Sequence, residues 1–194
     1  MSTNSDFAKF IAGTEAVQFG EFTLKSNIKS NIFFNFGELF YGSELIQLGN
    51  YFADSIVENS LDHADVIFGP AYKGINICIA TSIALYQKYN ISIPFAYNRK
   101  DRKDHAEGGQ FVGCDLSRAE HILIVDDVIT DCGTKYEVVD TLSSVSTATI
   151  DAIIVGVDRQ EGGSAGETSR QGFVRDTGID ILALTNKSEV LKYR

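Results

Sequence analysis

Apolar positions along the chain alternate between helical spacing and short continuous runs. Leu45, Leu48, Phe52 and Ile56 recur at helical spacing and predict a helix over 43–59, with Ser43 placed to cap it. Phe7, Phe10, Ile11 and Val17 predict an N-terminal helix over 7–18. Further helices are predicted over 74–89 and 134–142. Short apolar runs predict strands over 65–68, 94–97, 121–125, 150–157 and 179–184. Residues 19–40 are rich in aromatics and broken by Ser, Asn and Gly, which predicts short strands and turns. Residues 98–113 are polar and glycine-rich, too irregular for a regular element. Strands that alternate with helices imply βαβ units and a mostly parallel sheet flanked by helices, an α/β fold. With no internal repeat and no linker, residues 1–194 read as one domain. A small hood is expected from about 1–40, together with the C-terminal segment.

Composition narrows the function classes. Seventeen Lys and Arg stand against 26 Asp and Glu, a net charge of −9, so nucleic acid is not an expected partner. Positive charge is concentrated in 99–105 instead, the place to look for an anionic substrate. No apolar run approaches a membrane span, and the first residues lack the basic and apolar parts of a secretory signal. Cys78, Cys114 and Cys132 are far apart and form no C-x-x-C pair. That spacing argues against a disulfide framework or a zinc site and fits a cytoplasmic protein.

Residues 121–134 are the most informative. His-Ile-Leu-Ile-Val is an apolar run suited to a strand buried on both faces. Asp126-Asp127 follows, where such a strand would leave the sheet, and ligands in open α/β sheets bind outside the carboxyl ends of strands. Two carboxylates there can hold sugar hydroxyls or Mg²⁺. Thr130-Asp131-Cys132-Gly133-Thr134 can then turn backbone N–H groups toward a phosphate at a helix start. Strand-Asp-Asp also occurs in Walker B strands, but no G-x-x-x-x-G-K-[ST] loop accompanies this one. Sugar, metal and phosphate within nine residues point to a phosphorylated-ribose site.

Three other segments carry chemistry. Phe68-Gly69-Pro70-Ala71-Tyr72-Lys73-Gly74-Ile75 reads as strand, turn and helix start, suited to diphosphate or equally to an ordinary loop with a solvated lysine. Asn98 to Gly109 places Arg99, Lys100, Arg102 and Lys103 before His105 and a Gly108-Gly109 pair. It reads as a basic lid or as a solvated charge run with a passive histidine. Phe19 to Ser26 with Phe33-Phe34-Asn35 can hold a flat heterocycle or simply pack the core. Arg159, in Asp158-Arg159-Gln160-Glu161, can clamp a carboxylate or form a surface salt bridge.

Together these strings resemble the bacterial-type orotate phosphoribosyltransferase family, within the type I phosphoribosyltransferases. The match runs from about Phe19 to Glu161. Phe-Gly-Glu-Phe-Thr-Leu-Lys-Ser, Phe-Gly-Pro-Ala-Tyr-Lys-Gly, Asn-Arg-Lys, Lys-Asp-His, Glu-Gly-Gly, Val-Asp-Asp-Val-Ile-Thr and Asp-Arg-Gln-Glu appear in family order. The resemblance implies the type I phosphoribosyltransferase fold and Mg²⁺-dependent transfer of phosphoribose from 5-phosphoribosyl-1-diphosphate (PRPP) to orotate, in pyrimidine biosynthesis. It implies that Asp126 and Asp127 bind the ribose hydroxyls, and that Mg²⁺ is held mainly through PRPP, with Asp127 as the candidate protein ligand. Val128, Ile129, Thr130, Asp131, Cys132, Gly133 and Thr134 would wrap the 5-phosphate. Tyr72 and Lys73 would hold the diphosphate, and Lys25 would sit beside both ligands. Phe33, Phe34, Thr130 and Arg159 would contact orotate, Arg159 on its carboxylate.

The resemblance also implies a homodimer with shared active sites. Arg99, Lys103 and His105 would reach the partner's site, and Lys100 would serve its own. The catalytic set would be Lys103, Asp104, His105 and Asp127, acting on an oxocarbenium-like transition state as diphosphate leaves. The chain departs from the family pattern at Cys132, where glycine is usual, and at Ala106. Near a helix N-terminus, Cys132 reads either as a reactive thiol or equally as a small, inert loop residue. Nothing is carried over beyond Glu161. The competing readings are a purine or uracil phosphoribosyltransferase and a PRPP-binding regulator.

Overall fold

The computed structural model describes residues 3–23, 29–103, 109–160 and 167–194, and only the backbone of 101–103. After α1 (Thr3–Ala12), strands β1 (Val17–Thr23) and β2 (Lys29–Phe34) form an antiparallel ribbon, and a 3-10 turn follows at Phe36–Glu38. Then come α2 (Gly42–Glu58), β3 (Val66–Phe68), α3 (Lys73–Tyr89), β4 (Phe95–Lys103) and β5 (Gly109–Gly113). The chain continues through β6 (His121–Ile129), α4 (Gly133–Ser143), β7 (Thr149–Asp158), α5 (Ser169–Thr177), β8 (Asp180–Asn186) and α6 (Lys187–Val190). The main sheet has the order β5-β4-β3-β6-β7-β8, parallel except for the antiparallel β4–β5 edge.

The central strands are apolar on both faces, and their alternation builds two cores. Leu123, Val125 and Ile154 pack with Leu48, Phe52 and Ile56 of α2 and Ile77 and Leu85 of α3. Ile122, Ile124, Ile153 and Val155 pack on the other face with Leu142 of α4 and Phe173 of α5. Each fully buried side chain of this size contributes about 1.5–3 kcal/mol, so a slip of one residue in β6 or β7 would cost several of these at once. The ribbon and 3-10 turn add Ile32, Phe34, Phe36 and Leu39 to the first core. Helix α1 docks beside the C-terminal segment, where Thr185 Oγ1 bonds Asn4 Oδ1 at 2.6 Å and the Ser5 and Tyr193 hydroxyls meet at 2.6 Å.

Four expectations need correction. The N-terminal helix ends at Ala12 rather than continuing to residue 18, because Gly13 N–H and Thr14 N–H close a turn and Val17 already pairs with Phe34. The cap of α2 is Tyr41 rather than Ser43; its N–H donates to Glu44 Oε2 at 3.3 Å. Residues 98–103 and 109–113 are strand rather than irregular chain, with Tyr97 opposite Val112 and Asn98 opposite Phe111. A polar strand is stable there because the pair forms the edge of the sheet. Finally, β6 runs through the carboxylate pair to Ile129 instead of stopping at Val125.

Candidate active site

Because β6 continues past Val125, successive side chains keep alternating, and Asp126 and Asp127 point to opposite faces. Asp126 joins Ile122 and Ile124 on the α4 side. There its Oδ2 is paired with Lys135 Nζ, and its Oδ1 accepts from the Asp127 N–H at 2.9 Å. Both partners are almost entirely buried. Burial pushes the Asp126 carboxyl above its ordinary range, Lys135 opposes this, and Asp127 adds to it. Asp127 faces the α3 side. Its Oδ1 accepts from the Val128 N–H at 2.8 Å, and Lys73 Nζ lies 2.9 Å from Oδ2. That contact is a Coulomb pair off the hydrogen-bonding direction, so among the described residues Oδ2 is buried without a hydrogen bond.

Lys73 stands at the first residue of α3, after the turn that leaves β3. The turn is tight. A Cβ on Gly69 would come within 2.1 Å of Gly74 O, and one on Gly74 within 2.7 Å of Pro70 Cδ. Only glycine at both positions lets the strand end and the helix start touch. The Ala71 N–H donates to Asn98 Oδ1 at 2.8 Å, which ties the turn to β4. Lys100, two residues further on that strand, places Nζ 4.9 Å from the centre of the exposed Tyr72 ring. Tyr72, Lys73 and Lys100 thus converge, while Arg99 is half-buried on the same strand.

The turn from Thr130 to Thr134 leads into α4. Asp131 Oδ1 accepts from the Gly133 N–H at 3.1 Å and from the Thr130 hydroxyl at 3.4 Å. Cys132 has φ 64°, in the left-handed region, and is buried. A non-glycine residue there carries a penalty of about 1–2 kcal/mol that glycine would avoid. A reactive thiol is not what the surroundings produce. Burial outweighs the helix terminus and pushes the Cys132 thiol up to about 11, with Lys135 opposing and Asp131 and Asp158 adding. Cys78 is pushed up to about 12, again by burial. Cys114 is only partly buried. Alkylation of the free protein is therefore expected to label Cys114 first. Peptide mass spectrometry showing Cys132 labelled ahead of Cys114 would contradict this order.

The hood lies over the same edge of the sheet. A Cβ on Gly156 of β7 would come within 2.6 Å of the Phe36 ring and 2.9 Å of the Asp127 carbonyl oxygen. Phe36 therefore rests directly on the strand beside Asp127. Phe33 is half-exposed, with its ring 5.6 Å from that of Phe22. Phe34 is only 3% exposed, so its ring belongs to the core and only its backbone is presented. Arg159 is 8% exposed, which excludes a solvated surface salt bridge. Its N–H extends the β6–β7 pairing to Ile129 O at 3.3 Å. Lys25, Asp104, His105 and the Lys103 side chain lie outside the described residues.

Three participants escaped the sequence reading. Asn98 and Phe36 leave no local signal, since each acts on a segment distant in sequence. Lys135 does leave one. A lysine in the first turn of a helix sits at the positive end of the macrodipole, an unfavourable place unless an anion holds it.

Residues 36–177 match the model of the phosphoribosyl transferase domain family. Among curated proteins, an orotate phosphoribosyltransferase from Ruthia magnifica is 43% identical over 188 residues, 97% of this chain and 87% of its own. One from Shewanella oneidensis is 38% identical, covering 97% and 86%. The crystal structure of orotate phosphoribosyltransferase from Francisella tularensis superposes with a TM-score of 0.80 at 36% identity, over 97% of this chain and 89% of that one.

Proposed function

The chain belongs to the orotate phosphoribosyltransferase family, and from that premise we propose that it transfers phosphoribose from PRPP to orotate in pyrimidine biosynthesis. The products are orotidine 5′-monophosphate and diphosphate, and Mg²⁺ is the cofactor. The observation that carries the reading is the pair Asp127–Lys73, a buried carboxylate and a helix-start lysine 2.9 Å apart at the carboxyl edge of the sheet. In this reading the carboxylate accepts from ribose hydroxyls, and the lysine beside it is the cation for the leaving diphosphate.

In this reading Asp127 holds the ribose hydroxyls, whereas Asp126, expected to share them, is turned to the opposite face and instead fixes the strand end through Lys135 and the Asp127 N–H. Residues 128–134 receive the 5-phosphate at the start of α4, where backbone N–H groups and the helix dipole favour an anion. Tyr72, Lys73 and Lys100 take the diphosphate. Phe33, the Phe34 backbone, Thr130, Arg159 and Lys25 bind orotate, with Arg159 on its carboxylate. Asp127 Oδ2 accepts no hydrogen bond among the described residues, and with Lys73 turned to the diphosphate it would be an oxygen ligand for a hard cation. Mg²⁺, held mainly by PRPP, would neutralise charge that builds on the leaving diphosphate. Lys103, Asp104 and His105 close over the reacting centre, with Arg99, Lys103 and His105 reaching across a homodimer. We place the protein in the cytoplasm; its three cysteines are unpaired, and among the described residues no helix is long and apolar enough to cross a membrane.

Incubating the protein with PRPP, Mg²⁺ and each of orotate, uracil, adenine, guanine and hypoxanthine tests this. Loss of orotate absorbance is expected, together with diphosphate release, and chelation should stop both. Consumption of another base with orotate untouched would overturn the role of Arg159. PRPP binding without turnover of any base would mark a sensor instead of an enzyme.

A further inference from the structure

The far end of the sheet carries a second group of functional side chains. The chain has three histidines, and two of them converge there on one carboxylate. His63 lies in the turn between α2 and β3, His121 opens β6, and Asp151 lies in β7. One ligand atom from each lies within 4.8 Å of the others. His121 Nδ1 is 2.9 Å from Asp151 Oδ1, and His63 Nε2 is 3.3 Å from Asp151 Oδ2. The rings meet edge to face with centroids 5.1 Å apart.

Three features make this more than a chance meeting. First, Asp151 is the extra residue of a bulge: Ile122 pairs with Ile150, but Leu123 pairs with Ala152. A bulge re-aims one side chain without disturbing the rest of the strand. Second, His63 Nδ1 donates to the Ser60 carbonyl at 3.0 Å. In the neutral ring this fixes the tautomer and leaves an Nε2 lone pair facing Asp151, as the outer hydrogen bond of a metal-bound histidine does. Third, Asp151 Oδ2 is buried and makes no hydrogen bond among the described residues. Two lone pairs 3.3 Å apart repel unless a proton on Nε2 or a metal cation lies between them. Asp65 lies beside the group, accepting from the Glu120 and His121 N–H groups at 2.8 and 2.9 Å, and it adds negative potential.

We propose that His63, His121 and Asp151 bind one transition-metal dication of the zinc, cobalt or nickel class, with the remaining coordination position open to water. Ligand bonds of about 2.0–2.2 Å to a tetrahedral ion set ligand atoms roughly 3.4 Å apart; His63 Nε2 already lies 3.3 Å from Asp151, and the 2.9 Å His121–Asp151 hydrogen bond would lengthen as the ion replaces its proton. Two imidazoles select against Mg²⁺, which prefers oxygen ligands. The site is separate from the proposed reaction centre, since Asp127 lies six residues further along β6, roughly 20 Å at a strand's rise. A bound ion would clamp the turn after α2 to the starts of β6 and β7.

The test is titration of the metal-stripped protein with Co²⁺ in excess Mg²⁺, followed by visible absorption and calorimetry, then repetition with Zn²⁺. One equivalent is expected, with the d–d bands of a nitrogen- and oxygen-ligated site and no thiolate charge-transfer band. His63→Ala, a change at a half-exposed turn residue, is expected to weaken binding by about 10-fold or more. Asp127→Asn is expected to leave it unchanged. Zn²⁺ should also raise the melting temperature of the parent protein but not of His63→Ala. Absence of stoichiometric binding, equal affinity in His63→Ala, loss of binding in Asp127→Asn or a thiolate band would each overturn the assignment. None of these readouts depends on which base the protein uses.

Discussion

Replacing Lys135 with methionine is expected to remove about 3–5 kcal/mol of stability, a large fraction of what a domain of this size possesses. Methionine matches the lysine stem in length and leaves little cavity, so the loss isolates the charge. Lys135 is 3% exposed and Asp126 8% exposed, and the lysine is the cation that faces the Asp126 carboxylate across the α4 interface. Without it, Asp126 is a buried anion whose one remaining donor among the described residues is the Asp127 N–H.

The pH dependence of the loss identifies its cause. Burial already holds the folded-state pKa of Asp126 above its ordinary value, and removing Lys135 raises it further. A carboxyl raised in the folded state costs stability at pH values above that raised pKa. The cost disappears as pH falls through it toward the ordinary carboxylate range. Urea denaturation should therefore show the variant far below the parent at alkaline pH, with the gap narrowing in mild acid. A gap that stays constant with pH would mean that lost packing, not the unpaired charge, explains the defect.

Asp127→Asn is expected to do the reverse. Asparagine keeps the shape and can still accept from the Val128 N–H, but it removes the charge that faces Lys73. Taking a charge out of a buried position relieves desolvation, and Lys73 is exposed enough to remain hydrated, so the melting temperature should hold or rise. Activity should fall by about 10²–10³-fold in kcat/KM, by analogy with deleting one preorganised polar group from a transition-state site. Steady-state kinetics and thermal melting on the same preparation separate the two effects. A drop in melting temperature that tracks the drop in activity would make Asp127 a structural residue. Unchanged activity would remove it from the site.

The local sequence determined the order of the helices and strands apart from β5, α5 and α6, because each of the others buries an apolar stripe or run whose period survives any arrangement of neighbours. It also determined which segments carry chemistry. Asp126-Asp127, the glycine-flanked Tyr72-Lys73 turn and the turn ahead of α4 are contiguous strings, and their residue types state what they can hold. What tertiary structure decided is direction, burial and pairing. The continuation of β6 to Ile129 depends on β7 alongside it, and that continuation sends Asp126 and Asp127 to opposite faces. The buried state of Lys135, Arg159 and Cys132 depends on the packing of α4 and the sheet, and for Cys132 that burial reverses the reactivity its helix-terminal position suggests. Polar residues 98–103 became strand because β5 pairs with them in an antiparallel ribbon that runs on past the end of β3. The meeting of His63, His121 and Asp151 is the clearest case, for it joins a turn and two strands that only the folded sheet brings side by side. Periodicity is carried by neighbours in the chain, whereas electrostatic partners are chosen by neighbours in space.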